Sequence, residues 1–468
     1  MRKLKKIVVS ACIAALLLCM SPLSALAAGY ELPSDVAKEM NARAAMTVYM
    51  EASAPAADGI AGRDSVLYEK AVDTPLDPAA TVRVMVGLYA KKLIDDKKLD
   101  INKATGIYTE MLRDNYIWGT GLTLANMEAG ETWTVKDLLS LSMIQTAADA
   151  AVTLAATTAG SVDAFVLGMN EYLKTIGCTN TTLVNVTGLD DPRQKTTARD
   201  LYVAMRYALD DPVLEEALSS VEYTVTPVKG GEPRSWESSN YMLRESSEYY
   251  YEPMIAGKTG VSEIDGKALV SLCAIDSYRY ITVVLGCPLE DEDGDTGTHY
   301  NATETLTRWA MNNFTYQTLV KKNQPMTRAD VKLSWTVDSV TLVAKDTLTS
   351  VVPDELDLDT VRTEIKLDKE FYEAPIEKGQ VLGHATLYIR EDQSLGTVDL
   401  VASESVKRSL LLLVWSRICA VITSPWLWGV IIILAVLLVA YIGLAIAHNR
   451  EKKRNARNRS NRRYKPMK

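Results

Sequence analysis

The chain has 468 residues, of which 47% are apolar and 24% charged, so it is long enough for two or more folded domains. Its net charge of −8 is unevenly spread: the N-terminal segment carries +4 and the tail from Arg450 carries +9, which leaves about −21 between them. A body this acidic is not drawn to anionic polymers, which argues against nucleic acid as its ligand.

The N-terminus predicts a secretory signal peptide over residues 1–27. Basic residues are followed by an apolar run from Ile7 to about Met20 and by a small-x-small cleavage pattern at residues 25–27. An uncleaved anchor is the alternative.

In residues 29–314, the sequence predicts strands near both ends of the segment and helices between them. "SVLYEKAVDTPLDP" indicates a strand and a turn that lead into a helix, and "TVKDLLSLSMIQTAADAAVTLA" indicates two helices that meet near Gln145-Thr146. Two more amphipathic helices follow, one ended by Gly177 and one capped by Thr197. "MIAGKTGVS" predicts a short strand, and "GKALVSLCAI" and "RYITVVLGC" predict an antiparallel pair. The fold class is therefore α/β (α+β), a sheet with helices on its faces.

Cysteine and histidine usage limits the chemistry of this domain. The exported body has only Cys178, Cys273 and Cys287, which allow one disulfide at most. The three histidines of the chain are His299, His384 and His448. None lies between residues 29 and 298, which excludes a histidine triad or zinc site in that stretch, and we predict no metal and no cofactor.

The C-terminal third predicts a small β domain and a membrane anchor. Residues 326–403 alternate in polarity without a helical stripe. Residues 404–424 predict either a helix on the membrane surface or a simple extension of the spanning helix. Residues 426–447 hold no charge and would span about 33 Å as a helix. The basic tail, residues 448–468, is then cytoplasmic, and anionic lipid explains its charge better than nucleic acid does.

Several segments resemble the serine D-alanyl-D-alanine carboxypeptidases, the low-molecular-weight penicillin-binding proteins. They are "SVLYEKAVDTPLDPAA", "AGETWTVKDLLSLSMIQTAADAA", "FVLGMNEYLKTIGCTNTTLVNVTGLDDPRQKTTARDL" and "AGKTGVSEIDGKALV", and "YEAPIEKGQVLGHATLYI" is similar to the β-sandwich that follows the family's peptidase domain. The match runs from about Ser65 to Val401 in consistent order. It implies a β-lactamase/transpeptidase-like domain, then a small β-sandwich and one C-terminal transmembrane helix.

The resemblance also implies three motifs. Ser-x-x-Lys supplies nucleophile and base, Ser-x-Asn relays a proton and holds substrate, and Lys-Thr-Gly binds the terminal carboxylate of the substrate. Only the third is present, as Lys258, Thr259 and Gly260, with Ser262 two residues later. These four residues are the candidate substrate-binding residues.

The catalytic positions of the other two motifs are substituted. Ala80 stands at the nucleophile position and Arg83 at the base position, while Thr146 and Ala148 stand at the second motif. No serine in the chain is followed three residues later by lysine. Alanine has no nucleophilic atom, and arginine stays protonated, so it cannot act as base.

Two neighbouring residues leave open questions. Thr81 is the nearest hydroxyl to position 80, but one helical residue turns a side chain by about 100°, so we expect it to point away from the pocket. Arg83 either attracts a carboxylate or pairs with an acid such as Asp149.

We therefore expect a catalytically inactive homologue in the bacterial cell membrane, with its body outside and its short tail inside the cell. It would bind a peptidoglycan stem peptide or a cell-wall protein. The alternative is a working carboxypeptidase or other hydrolase with an unrecognised nucleophile.

Overall fold

The computed structural model describes residues 30–51, 64–107, 117, 120–229, 231–389 and 394–462, with side chains up to residue 454. The predicted signal peptide lies outside these residues. The chain divides into two compact units. The first holds Met1–Leu319, Leu348–Glu364 and Thr386–Thr397, and the second holds Val320–Thr347, Ile365–Ala385 and Val398–Lys468.

The first unit is a five-stranded antiparallel sheet covered by helices. Its strands are β1 (Ala44–Met50), β2 (Ser65–Lys70), β7 (Met254–Ser262), β8 (Gly266–Ile275) and β9 (Tyr278–Cys287), in the order β2-β1-β9-β8-β7. Short pairs are formed by β3 (Ala104–Gly106) with β4 (Thr132–Thr134), by β5 (Glu222–Val225) with β6 (Arg234–Glu237), and by β10 (Phe314–Val320) with β13 (Leu348–Pro353). The helices are α1 (Ser34–Glu39), α2 (Val82–Asp96), α3 (Val135–Ile144), α4 (Ala148–Ala159), α5 (Val162–Thr175), α6 (Ala198–Ala208), α7 (Pro212–Ser219) and α8 (Thr298–Asn313).

Hydrophobic cores lie on both faces of this sheet. Along β1, Met46 and Val48 belong to the core shared with α2 to α6, whereas Ala45 and Tyr49 belong to the core shared with α8. The strand is buried throughout, because neighbouring strands cover both edges and helices cover both faces. The α/β class with helices on the faces of a sheet is thus confirmed.

Local sequence signals set the helix boundaries near the cleft. The predicted break between two helices is confirmed, since α3 ends at Ile144 and α4 begins at Ala148. Thr134 and Asp137 form a capping box at the start of α3. Thr197 caps α6 by accepting a hydrogen bond from the Asp200 backbone N–H, as predicted.

The cysteines of the first unit form no disulfide in the described part of the chain. Cys178, Cys273 and Cys287 are free and buried. Burial raises the pKa of each thiol above its ordinary value, so all three are unreactive at neutral pH.

The second unit contains, in whole or in part, the strands of a six-stranded sheet. They are β11 (Pro325–Lys332), β12 (Ser339–Ala344), β14 (Arg362–Leu367), β15 (Tyr372–Glu373), β16 (Val381–Tyr388) and β17 (Ser394–Ala402), in the order β14-β16-β17-β12-β11-β15. The pairing of β11 with β12 is antiparallel, and that of β11 with β15 is parallel.

Two helices with long apolar stretches follow the sheet. They are α9 (Leu410–Ile422) and α10 (Pro425–Arg462). Over Pro425–Arg454, α10 is long and apolar enough to cross a membrane, with a mean hydropathy of 3.1 over its most apolar window. The bent pair α4 and α5 passes the same test together, but α4 is almost wholly buried in the first core. Because α9 ends before α10 begins, residues 404–424 are not a continuous extension of the long helix.

Candidate functional site

The candidate cleft lies where the start of α2 meets the edge strand β7. A 3-10 turn, Ala79–Thr81, leads into α2, and the Asp77 carboxylate accepts the Ala79 backbone N–H at 2.8 Å. The contact with β7 is tight, since a Cβ added at Gly260 would lie 2.6 Å from the Ala80 backbone nitrogen. Glycine in the Lys-Thr-Gly sequence thus lets β7 approach the position of Ala80.

Two residues of this turn carry no reactive group into the cleft. Ala80 is half-buried and ends in a methyl group. The Thr81 hydroxyl is fully buried and donates to the Pro78 carbonyl oxygen at 2.5 Å, so it is turned back toward the preceding residues. The structure therefore places no hydroxyl of the turn beside Ala80.

Arg83 is the second residue of α2, one helical turn after Ala80, and it is fully buried. Its Nη1 donates to the Val186 carbonyl oxygen at 2.5 Å, and its Nη2 donates to the carbonyl oxygens of Thr187 at 3.0 Å and Thr146 at 3.4 Å. Burial lowers the pKa of Arg83 to about 9, opposed by the charge of Asp149, and the guanidinium remains charged at pH 7. The side chain thus ties α2 to two loops.

Asp149 does not pair with Arg83. Its carboxylate accepts the backbone N–H groups of Ala125 at 2.9 Å and Met127 at 3.1 Å, and it is buried at the start of α4. Of the two possibilities open from the sequence, pairing with Asp149 is wrong, because that carboxylate already holds the segment before α3.

Thr146, Ser239 and Lys258 form a hydrogen-bonded triangle. Lys258 Nζ donates to Thr146 Oγ1 at 2.6 Å and to Ser239 Oγ at 2.7 Å, and Thr146 Oγ1 donates to Ser239 Oγ at 2.7 Å. Thr146 sits in the turn between α3 and α4 with a left-handed φ of 65°, which β-branched residues rarely adopt. Ala148, two residues later, is buried and offers no polar side chain.

In this triangle, the Lys258 amine is buried and has no acidic partner among the described residues. Lys258 is 1% exposed, and among the described residues it forms no ion pair. Burial, with a smaller contribution from the nearby Arg83 charge, lowers the pKa of Lys258 to about 7. The amine therefore gives up its proton more readily than an exposed lysine does.

The remaining Lys-Thr-Gly positions differ in what they contact. Thr259 Oγ1 lies 2.8 Å from Nε2 of the buried His299 on α8. Ser262 is buried at the end of β7, where its hydroxyl accepts the backbone N–H groups of Ile264 and Asp265 in the turn to β8. Ser262 thus stabilises a turn and is not among the residues that contact Lys258.

Sequence reasoning missed Ser239 and His299. Ser239 belongs to no motif and lies 19 positions before Lys258. The sequence offered one reason to single out His299, which is that the chain has only three histidines. Among the described residues, no group of three or more His, Cys, Asp or Glu side chains is arranged to hold a metal ion.

Comparison with known proteins covers most of the chain. A sequence model described as D-alanyl-D-alanine carboxypeptidase matches residues 40–288, and one described as the C-terminal domain of penicillin-binding protein 5 matches residues 314–408. The chain is 28% identical over 349 residues to D-alanyl-D-alanine carboxypeptidase DacC of Escherichia coli, covering 73% of this chain and 81% of the relative. It is 25% identical over 380 residues to D-alanyl-D-alanine carboxypeptidase DacF of Bacillus subtilis, covering 81% and 91%.

The fold is shared with solved structures. The crystal structure of penicillin binding protein 5 from Haemophilus influenzae matches with a TM-score of 0.61 at 20% identity, covering 81% of this chain and 100% of that one. The predicted β-lactamase/transpeptidase-like fold with a trailing C-terminal domain is therefore confirmed.

Proposed function

Because the chain belongs to the D-alanyl-D-alanine carboxypeptidase family, we propose that it is a membrane-anchored, extracytoplasmic member that binds peptidoglycan without cleaving it. The proposed ligand is a stem peptide that ends in D-Ala-D-Ala. A cell-wall protein that presents a similar chain end to the cleft is the alternative partner.

The observation that carries this proposal is the start of α2. Acyl transfer by the family's route needs a hydroxyl at position 80 and a base one helical turn later. Ala80 offers a methyl group, and Arg83 is a charged guanidinium whose N–H groups point at backbone carbonyl oxygens. Neither the bond-forming atom nor the proton acceptor of that route is available, and removing both together leaves almost no rate by it.

The residues that could bind a ligand are better retained than the catalytic residues. Lys258 offers a cation, and the hydroxyls of the half-buried residues Thr146 and Ser239 adjoin it. Thr259 follows Lys258 on the same strand edge, with 8% of its surface exposed. A carboxylate accepts hydrogen bonds from ammonium and hydroxyl donors together, so this set favours a terminal carboxylate.

The anchor supports an extracytoplasmic body. The span Pro425–Arg454 in α10 is apolar over the length of a bilayer core, and none of its most apolar window is buried. The tail after it carries a net charge of +9, which favours the cytoplasmic side.

Calorimetry of the full-length protein in detergent tests the binding proposal. The titrant is an N-acetylated tripeptide ending in D-Ala-D-Ala, and the control titrant is the same peptide with a C-terminal amide. We expect the acid to bind and the amide to bind about tenfold more weakly, because a charged hydrogen bond is lost. Lys258→Met should weaken binding of the free-acid peptide about tenfold. Lys92→Met, on the exposed face of α2, should leave its affinity unchanged. Equal affinity for acid and amide would contradict the proposal.

A second candidate function rests on the Ser239–Lys258 pair. Ser239 Oγ is 2.7 Å from an amine whose pKa is lowered to about 7, which is the arrangement of a serine nucleophile with a lysine base. In this alternative, Ser239 Oγ forms an ester with the peptide carbonyl carbon as the C–N bond breaks, and its proton passes through the Lys258 amine to the departing amino group. Water then hydrolyses the ester and regenerates the Ser239 hydroxyl.

We place this hydrolase second because Ser239 lacks the surroundings of an activated serine. Its backbone N–H donates to the Ile144 carbonyl oxygen at 2.9 Å, so it is not free to stabilise an oxyanion. The Ser239→Ala variant separates the two functions, since it abolishes any hydrolysis by this route and leaves the Lys258 cation in place for binding.

A further inference from the structure

His299 is a buried polar group that the proposed function does not use. It is the second residue of α8 and is 3% exposed, and its Nε2 lies 2.8 Å from Thr259 Oγ1. Its Nδ1 has no hydrogen-bond partner among the described residues. The neighbouring Tyr300 ring lies 3.8 Å from the imidazole, centroid to centroid, which leaves the side chain little freedom to turn.

The imidazole is neutral in any working buffer. Burial, with a smaller contribution from the charge of Lys267, lowers the pKa of His299 to about 3, while Asp295 opposes the shift. A neutral imidazole carries one N–H, which sits on either Nδ1 or Nε2. A buried N–H without an acceptor costs more than an unused lone pair, so the unpartnered Nδ1 is the bare nitrogen and Nε2 carries the proton.

The position of the His299 proton determines whether the Thr259 hydroxyl can donate a hydrogen bond to a ligand. Its oxygen accepts from His299 Nε2–H, which frees the hydroxyl hydrogen for another acceptor. The nearest strand acceptor, the Ala268 carbonyl oxygen, is 3.4 Å away, at the long limit of a hydrogen bond. The Tyr300 hydroxyl is close enough to Thr259 to interact with it. Thr259 is next to Lys258, so an incoming oxygen atom can take this hydrogen.

We propose that His299 is a positioning residue, which holds the Thr259 hydroxyl as a hydrogen-bond donor to an oxygen of the bound ligand. The ligand part of this inference rests on the proposed function, with the terminal carboxylate of the stem peptide as the acceptor. If the proton sat on Nδ1 instead, Thr259 would donate to Nε2 and have no hydrogen left for the ligand.

Nitrogen NMR of the full-length chain, labelled with ¹⁵N-histidine in detergent, tests the tautomer without any ligand. Only three histidines are present, and His299→Gln assigns the signal. We expect His299 to stay neutral from pH 5 to pH 8 with its proton on Nε2. A proton on Nδ1, or a titration midpoint within this range, would overturn the proposal.

A double-mutant cycle on the binding of the N-acetylated tripeptide tests the positioning role. We expect His299→Leu to weaken binding about tenfold, but less than about twofold when Thr259 is already Val, because the two residues act through one hydrogen bond. His299→Gln, which keeps a side-chain N–H donor, should recover most of the affinity. Tyr300→Phe, which keeps the ring but removes the hydroxyl near Thr259, should weaken binding less than His299→Leu does.

Equal losses from His299→Leu in both backgrounds would show a merely structural role, and a loss from Tyr300→Phe as large as that from His299→Leu would assign the role to Tyr300. Either result overturns the proposal. If the natural protein binds no peptide, the proposed function fails and the ligand part of this inference fails with it, while the tautomer measurement still decides the His299–Thr259 bond.

Discussion

Arg83 and Lys258 are two cations buried in one cleft, and they respond to burial differently. Arg83 donates to three backbone carbonyl oxygens, whose dipoles hold its charge inside the protein. Among the described residues, the Lys258 amine has two acceptors, both hydroxyl oxygens, so it adapts by giving up its proton more easily. The same cleft therefore contains one fixed cation and one that titrates near neutral pH.

This difference predicts that ligand binding depends on pH. A carboxylate ligand prefers the protonated form of Lys258, whose pKa is lowered to about 7, so peptide affinity should fall as pH rises from 6 to 8.5. His299, with a pKa of about 3, stays neutral over this range and does not contribute. Calorimetry at pH 7 in two buffers of different ionisation enthalpy should show uptake of a fraction of a proton on binding.

The matched control for this pH dependence is Lys258→Met, in which the slope should disappear. An affinity that is constant from pH 6 to pH 8.5 in the natural protein would mean that Lys258 does not meet the charged end of the ligand.

At the scale of elements, the cleft depends on how closely β7 approaches the start of α2. Gly260 on β7 faces the 3-10 turn with no room for a side chain, because an added Cβ would lie 2.6 Å from the Ala80 nitrogen and 2.9 Å from the Thr81 nitrogen. These are backbone atoms of a helix start and cannot move aside cheaply.

Gly260→Ala should therefore destabilise the protein by about 1–3 kcal/mol, the usual cost of overpacking. Thermal unfolding followed by circular dichroism measures this effect. Gly106→Ala is the control, because a Cβ there has no described atom within 4 Å. A Gly260→Ala variant with the same melting temperature as the natural protein would show that β7 does not pack closely against the turn.

Elements with strong local signals were predictable from the sequence. The break between α3 and α4 and the cap at Thr197 follow from local patterns, and both are confirmed. Strand β1, "AAMTVYM", was missed, because a strand buried on both faces shows no polar alternation. The turn at Thr146 adopts a left-handed conformation that no residue preference predicts for threonine.

In the candidate site, only residues that belong to a sequence motif were predictable. Lys258 and Thr259 were placed by the Lys-Thr-Gly sequence. Two of the three acceptors of Arg83, the carbonyl oxygens of Val186 and Thr187, are more than 100 positions away along the chain, and such contacts arise from tertiary packing alone. Ser239 reaches Lys258 in the same way, so no spacing rule could have found it.

At the scale of the whole molecule, charge and hydropathy separate along the chain. The body is acidic, the long apolar helix α10 follows it, and the end of the chain is basic. This order is typical of a single-pass anchor with a cytoplasmic tail.

Removal of residues 425–468 should release the protein into the soluble fraction after expression and cell fractionation, because the apolar span is lost. Removal of residues 455–468 alone should leave it in the membrane fraction. A protein that stays on membranes without α10 would show that another segment anchors it, and α9, with exposed Leu410, Leu411 and Trp415, would then be the first to test.

The most direct test of the central claim is D-alanine release from a pentapeptide that ends in D-Ala-D-Ala, with the full-length protein in detergent. We expect no release above a blank from the natural sequence, because position 80 has no nucleophile and Arg83 is no base. The Ala80→Ser/Arg83→Lys variant is run alongside, and its activity would show that the rest of the cleft is formed. Release by the natural protein would show that it is an active enzyme, against the proposed function, and loss of that release in Ser239→Ala would identify Ser239 as the nucleophile.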